Sequence, residues 1–151
     1  MAAYAVAIMQ PTYLPWIGYF DLMDQADIFV FLDSVQFAKR SWQHRNRIKT
    51  PHGELLLTVP VISKGRRDQR IYEVEIDQTA NFQKNHIKSI EHSYAKAAFF
   101  GKYFDDLKFI LSKSYRYLSH LNIDVILWLK KAIGIETELT RSSLLDIQGS
   151  K

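Results

Sequence analysis

Tyr4-Ala-Val-Ala-Ile-Met9, closed by Gln10-Pro11, and Ile28-Phe-Val-Phe-Leu32, closed by Asp33, bracket a segment with a different period. Both runs are continuously apolar, the pattern of strands buried on both faces as parallel strands in α/β domains are. Between them Trp16, Tyr19/Phe20 and Met23 recur at helical spacing, with Asp21 and Asp24 turned outward, after a proline at position 15 that suits a helix start. The first 33 residues therefore read β-α-β. With parallel strands and a right-handed crossover, Gln10 and Asp33 fall side by side at the carboxyl ends of neighbouring strands, facing the helix amino terminus near Trp16 and Gly18. In open α/β sheets that edge is where ligands bind.

Working outward, Thr50-Pro-His-Gly53 has turn chemistry and predicts a hairpin with arms near Arg45–Lys49 and Glu54–Ile62, Pro60 marking an edge or a strand end. Ser63–Gln69 is a polar loop. Ile71–Ile76 alternates, with Tyr72, Val74 and Ile76 inward against Glu73 and Glu75, and predicts a half-exposed strand. Thr79 is a candidate N-cap for a helix whose apolar face is Phe82, His86/Ile87, Ile90 and Tyr94. Two more helices are marked by Phe104, Leu107, Ile110 and Leu111, and by Leu118, Leu121, Val125, Trp128/Leu129 and Ala132, the latter closing at Gly134. Ile135–Leu139 reads as a last strand. The fold class is α/β, with a Rossmann-like βαβ start, a mixed sheet and hairpin insertion, and a helical second half.

The 151 residues are 47% hydrophobic and 24% charged, which fits one globular domain and excludes disorder, collagen and coiled coil. No cysteine is present, so disulfide frameworks, thiolate metal sites and cysteine nucleophiles fall away together, and a cytoplasmic location is favoured. No apolar run approaches the roughly 20 residues a bilayer requires, so no membrane insertion is expected. The residues name no cofactor and no metal-ligand set; Gly-x-Gly-x-x-Gly and Walker patterns are missing.

The formal charge of +4 is mild, but Lys39, Arg40, Arg45, Arg47 and Lys49 fall within eleven residues that contain no acid, interleaved with Trp42, His44 and Asn46. Guanidinium forks suit phosphate or carboxylate, and the indole offers a face to a ring. A basic run is often only a solvated surface. This one leaves the carboxyl end of the second strand, on the rim where Gln10 and the helix start converge, and a helix amino terminus favours an anion. Asp33 is the one acid there, open to use as a general base, a metal ligand, a ribose or amine acceptor, or a partner that orients Arg45. His86, on an apolar stripe, reads as a hydrogen-bonded core residue, and Ser34 lacks the glycine-flanked elbow of a nucleophile.

Ile8-Met-Gln-Pro-Thr-Tyr-Leu-Pro-Trp-Ile-Gly-Tyr-Phe20, then Asp33-Ser-Val-Gln-Phe37, Lys39, Trp42 and Arg45-Asn-Arg-Ile48, followed by Leu57-Thr-Val-Pro-Val61, resemble the WbqC-like family over nearly the whole chain. The resemblance implies a transferase of bacterial surface-polysaccharide (O-antigen) assembly acting on a phosphorylated or nucleotide-linked metabolite. Asp33 would be the catalytic carboxylate, and Gln10, Tyr13, Gly18, Lys39, Trp42, Arg45, Arg47 and Lys151 would bind the small anionic ligand. The βαβ start is also loosely similar to that of nucleotidyltransferases of the HIGH type, but Pro15-Trp-Ile-Gly18 stands in place of the histidines, which counts against adenylyl transfer. Family members continue past a Ser-Ser-x-Leu…Gly-x-Lys stretch, matched here by Ser142–Leu145 and Gly149–Lys151. The 1–151 chain is therefore expected to lack a C-terminal part of its domain and to leave an uncovered edge or apolar patch near Ile135–Leu145. Two rival functions use the same residues: a single-stranded nucleic-acid-binding module built on Lys39–Lys49, and a non-catalytic subunit of a polysaccharide assembly.

Overall fold

The computed structural model describes residues 4–145. Strand β1 (Val6–Met9), helix α1 (Ile17–Asp24) and strand β2 (Ile28–Phe31) form the expected parallel βαβ unit, with Val6 opposite Ile28 and Met9 opposite Phe31. The hairpin strands β3 (Arg45–Thr50) and β4 (Gly53–Thr58) follow, then helices α2 (Phe82–Tyr94), α3 (Phe100–Ser112) and α4 (Leu118–Ile133), and strand β5 (Glu138–Arg141). β5 returns parallel to β2 on the side away from β1, so the sheet order is β1-β2-β5 and β2 is central. β3 and β4 form a separate antiparallel pair closed by Pro51-His52, where Gly53 takes a φ of +115° that a side chain would resist.

Two apolar clusters share α4. One sheet face, carrying Ala7, Phe29 and Phe31, packs on Tyr19, Phe20 and Met23 of α1 and Ile126 of α4. The second cluster joins Ile48 and Leu57 of the hairpin to Phe82 and Ile90 of α2, Phe104 and Leu111 of α3, and Leu121 and Val125 of α4. α4 thus buries two adjacent stripes, and its side chains fix the hairpin relative to the sheet.

Four local expectations are corrected. β1 is not buried on both faces: as an edge strand it alternates, with Ala7 buried while Val6 and Ile8 are 53% and 54% exposed. Ile71–Ile76 is not a strand but a 3-10 turn at Ile71–Glu73 followed by single bridges at Glu75 and Ile76. Its backbone donors are taken by the chain leaving β2, since the Ile71 and Tyr72 N–H groups donate to the Val35 and Asp33 carbonyls. The residues that turn inward are accordingly Ile71, Val74 and Ile76. Thr79 does not cap α2; its hydroxyl and N–H both bond Asp77, and Asn81 stands at the helix start. The last strand begins at Glu138 rather than Ile135, because Gly134 (φ +79°) ends α4 and the Ile135 N–H donates back to the Lys130 carbonyl, which commits Ile135 to the helix end. In the Ile135–Leu145 region, among the described residues, β5 pairs with β2 alone and Leu144 is 75% exposed.

Candidate functional site

Because β1, β2 and β5 are parallel, the segments that leave them emerge on one edge of the sheet: Gln10–Tyr13 after β1, Leu32–Ser34 after β2, and Ser142–Ser143 after β5. Asp33 sits at the centre of this rim with no exposed surface. Its carboxylate accepts from Arg141 Nε at 2.7 Å, from the Ser143 N–H at 2.9 Å and hydroxyl at 2.8 Å, and from the Ser142 hydroxyl at 3.1 Å. The Ser142 Oγ in turn accepts the backbone N–H groups of Asp33 and Ser34 and lies 2.8 Å from the Ser34 hydroxyl. Burial pushes the Asp33 carboxyl up, but the Ser143 N–H, Arg141 and the Ser143 hydroxyl outweigh it, so the group sits below the usual carboxylate range. The orienting partner of Asp33 is Arg141, not Arg45. Ser142 and Ser143 belong to the family stretch quoted above; only the parallel register of β2 with β5, invisible in sequence, brings them to Asp33.

The basic segment is tied to the β1–α1 turn by four contacts. The Tyr13 N–H donates to the Trp42 carbonyl at 3.0 Å, and the Gln43 amide donates to Gln10 Oε1 at 2.8 Å. Asn46 Nδ2 bridges the Tyr13 and Leu14 carbonyls at 3.1 and 2.6 Å. Asn122, buried on α4, donates to the Pro11 and Gln43 carbonyls at 3.2 and 2.7 Å. Neither Gln43 nor Asn122 is visible as a site residue in sequence, since neutral amides carry no charge pattern. Substituting Asn122 by alanine orphans two carbonyls that the amide satisfies, and a loss of about 2 kcal/mol is expected in urea unfolding. Asn122→Asp should cost more at neutral pH, because it aims a buried carboxylate at two carbonyl oxygens, and should partly recover as acidification protonates it.

The remaining predicted residues are spread around this junction. Trp42 is half exposed, and the Arg47 guanidinium lies 5.7 Å from its ring centroid while pairing with Glu54 at 3.0 Å. Arg45 donates to the Arg40 carbonyl and Lys39 to the Ser63 carbonyl, so Lys39 is directed to the 63–69 loop. Among the described residues no hydrogen bond or ion pair joins Asp33 to Gln10, or either to Arg45. Tyr13 is fully buried, its hydroxyl bonded to His86 Nδ1 at 2.8 Å, and its phenol is pushed up by burial. Gly18 is the seat of the Trp16 indole: a Cβ there would come 2.5 Å from Trp16 Nε1. Lys151 lies outside the described residues. Burial lowers the His44 pKa against the upward pull of the Val59 carbonyl, the Arg45 charge adding to the lowering, and the ring bridges the Arg40 N–H to the Val59 carbonyl. Among the described residues no three His, Asp or Glu side chains come close enough to hold a metal ion, and no helix is long and apolar enough to cross a membrane.

These features define an α/β protein whose candidate ligand rim lies at the carboxyl ends of a short parallel sheet, flanked by a cationic hairpin. The chain belongs to the WbqC-like protein family, whose profile matches residues 10–151. It is 43% identical over 138 residues to the uncharacterized protein Rv1507c of Mycobacterium tuberculosis, an alignment covering 91% of this chain and 59% of that protein. The chain therefore spans well under two thirds of the length of that relative. No solved structure matches it.

Proposed function

We propose that the chain is the ligand-binding part of a cytoplasmic transferase of bacterial surface-polysaccharide (O-antigen) assembly, acting on a phosphorylated or nucleotide-linked metabolite. The observation that carries this reading is the attachment of the cationic β3 arm to the β1–α1 turn through the Tyr13–Trp42 and Gln10–Gln43 hydrogen bonds. Phosphate oxygens would be met by the Gln10 amide, by Arg45 and Arg47, and by the free N–H groups at the start of α1 beside Gly18. Trp42 would stack on a base or sugar ring. Lys39 would contribute charge from the flank, and Lys151, on a small-residue stretch that suits a phosphate, would add a second anion contact. Tyr13 would act from beneath, holding the turn rather than touching ligand. Asp33, with its oxygens engaged by four donors, would hold Arg141 and Ser143 in place on the rim; a proton-transfer role would require it to exchange one of these partners.

The rival nucleic-acid reading draws on Arg45, Arg47 and Lys49, which alternate onto one face of β3 next to Trp42. Calorimetric titration with nucleotide sugars at several salt concentrations separates the two. A nucleotide-linked ligand presents one or two phosphates, so a shallow slope of log K against log[salt] is expected, and Arg45→Ala should weaken binding at least about tenfold, the worth of one charge-assisted contact. Single-stranded RNA engaging about six phosphates would give a slope near −4. Tight RNA binding of that kind, without nucleotide-sugar binding, would replace the proposal.

A further inference from the structure

Across the Leu14–Pro15 turn from the rim lies an open cavity of about 470 Å³ whose apolar walls the proposed phosphate chemistry leaves unused, Arg47 being the one residue the two share. Its walls come from the turn, the hairpin and all three long helices, through Leu14, Ile48, Tyr94, Phe100, Leu107 and Trp128, and among the described residues the single charged one lining it is Arg47. The space is a groove open to solvent, and its volume falls in the range of small-molecule sites. The backbone beside it is also specially held. Leu14 adopts a φ of +48°, in the left-handed region that side-chain-bearing residues avoid, and Asn46 fixes it there through the 2.6 Å bond to its carbonyl. The Tyr94 hydroxyl is likewise fixed by the Lys49 N–H at 3.1 Å. At the same corner Phe99 is 69% exposed, an aromatic face with no partner among the described residues.

We propose that this cavity binds the hydrocarbon tail of a medium-length acyl chain whose anionic head is held by Arg47. The lining selects the tail: a sugar or a base would leave hydroxyls or ring edges without partners against these walls, whereas methylenes lose nothing by leaving water. The charge selects the head. Arg47 is paired with Glu54, but both side chains are more than half exposed, so that ion pair is weak and readily exchanged for an incoming carboxylate. The Trp42 ring, 5.7 Å from the guanidinium, adds a cation–π contact that favours the charged head-group partner staying in place. This assignment goes beyond the nucleotide reading and does not depend on it.

Calorimetric titration of the chain with hexanoate, octanoate and decanoate, all below their micelle concentrations, tests it. Each added methylene should tighten binding about fourfold while room remains in the cavity. Octylammonium, with the same tail and the opposite charge, should bind at least about tenfold more weakly than octanoate. Arg47→Ala should weaken octanoate but leave octanol unchanged, and Glu54→Gln, which frees Arg47, should tighten octanoate. Leu107→Trp should abolish binding of every tail by filling the cavity; if that variant fails to fold, Ala97→Phe puts bulk into the same space and the same loss is expected. Binding that ignores chain length, is indifferent to head-group charge, or survives the filled cavity would overturn the proposal. Nucleotide-sugar binding is read on Arg45→Ala, so either assignment can fail while the other stands.

Discussion

Asp33→Ala is expected to remove about 3–5 kcal/mol of folding stability, the usual consequence of deleting one partner of a buried ion pair. The loss has an identifiable source. Arg141, its side chain only 23% exposed, would keep its charge with no carboxylate beside it, and the Ser143 N–H and both serine hydroxyls would lose their acceptor. Against a total of about 5–15 kcal/mol for a domain of this size, such a variant stands near the edge of folding. Urea unfolding measures it directly, and a loss below about 1 kcal/mol would mean that water or another acceptor replaces the carboxylate. Asp33→Asn should fall between, since its oxygen can still accept from Ser143 while its amide faces Arg141 with donor against donor. The ionised carboxylate is favoured in the fold, so its contribution is complete above the unfolded carboxyl pKa and is lost as the pH falls through the lower folded value.

A second, separate acid transition is expected from His86. Burial lowers its pKa to about 4, against a weaker upward pull from the Thr58 carbonyl, while the unfolded imidazole titrates near 6.5. Between these two values the unfolded chain binds a proton that the folded chain refuses, so stability should fall with decreasing pH by roughly 3 kcal/mol over that window. The sign is opposite to that of a surface histidine paired with a carboxylate. Replacing His86 by Phe alone would flatten the pH dependence but orphan the Tyr13 hydroxyl. The double variant Tyr13→Phe, His86→Phe removes both ends of the 2.8 Å bond and should restore most of the stability with the window gone. Thermal melts from pH 7.5 to 4.5 distinguish the three chains, and an unchanged slope in the double variant would assign the transition to another group.

The parallel βαβ unit was legible because two unbroken apolar runs flank a segment of helical period, and because right-handed crossovers leave little choice of geometry. α4 and its Gly134 end were equally plain, an amphipathic stripe terminated by the residue that best tolerates a left-handed backbone. Burial of individual strands was not legible. Val6 and Ile8 look like core in sequence, and only the strand order reveals that β1 is an edge. At Ile71–Ile76 the alternation is real in the letters, but a hydrogen-bonding neighbour distant in sequence claimed the backbone and rewound its first half into a turn. The candidate site was legible as a place more than as a set of contacts. Gln10 and the basic segment do meet, yet they meet through Gln43, Asn46 and Asn122, whose uncharged amides give no signal in a composition or a spacing. The apolar cavity had no signature at all, since its lining is drawn from a turn, a basic hairpin arm and three helices that share no pattern in the sequence.

The clasp between Asp33 and Ser142 also sets a timetable. The residues it joins are 109 positions apart, and each of its hydrogen bonds closes a loop that encloses most of the chain. Such contacts are slow to form and absent from early compact states, whereas the β3–β4 hairpin and the three helices rest on neighbours close in sequence. On a ribosome the order is stricter still: β1, α1 and β2 emerge first and must wait, with a central strand unpaired on one side, until β5 has been synthesised. The candidate rim thus cannot be assembled until β5 has been made, and until then the four-residue edge of β2 that β5 pairs with stays open.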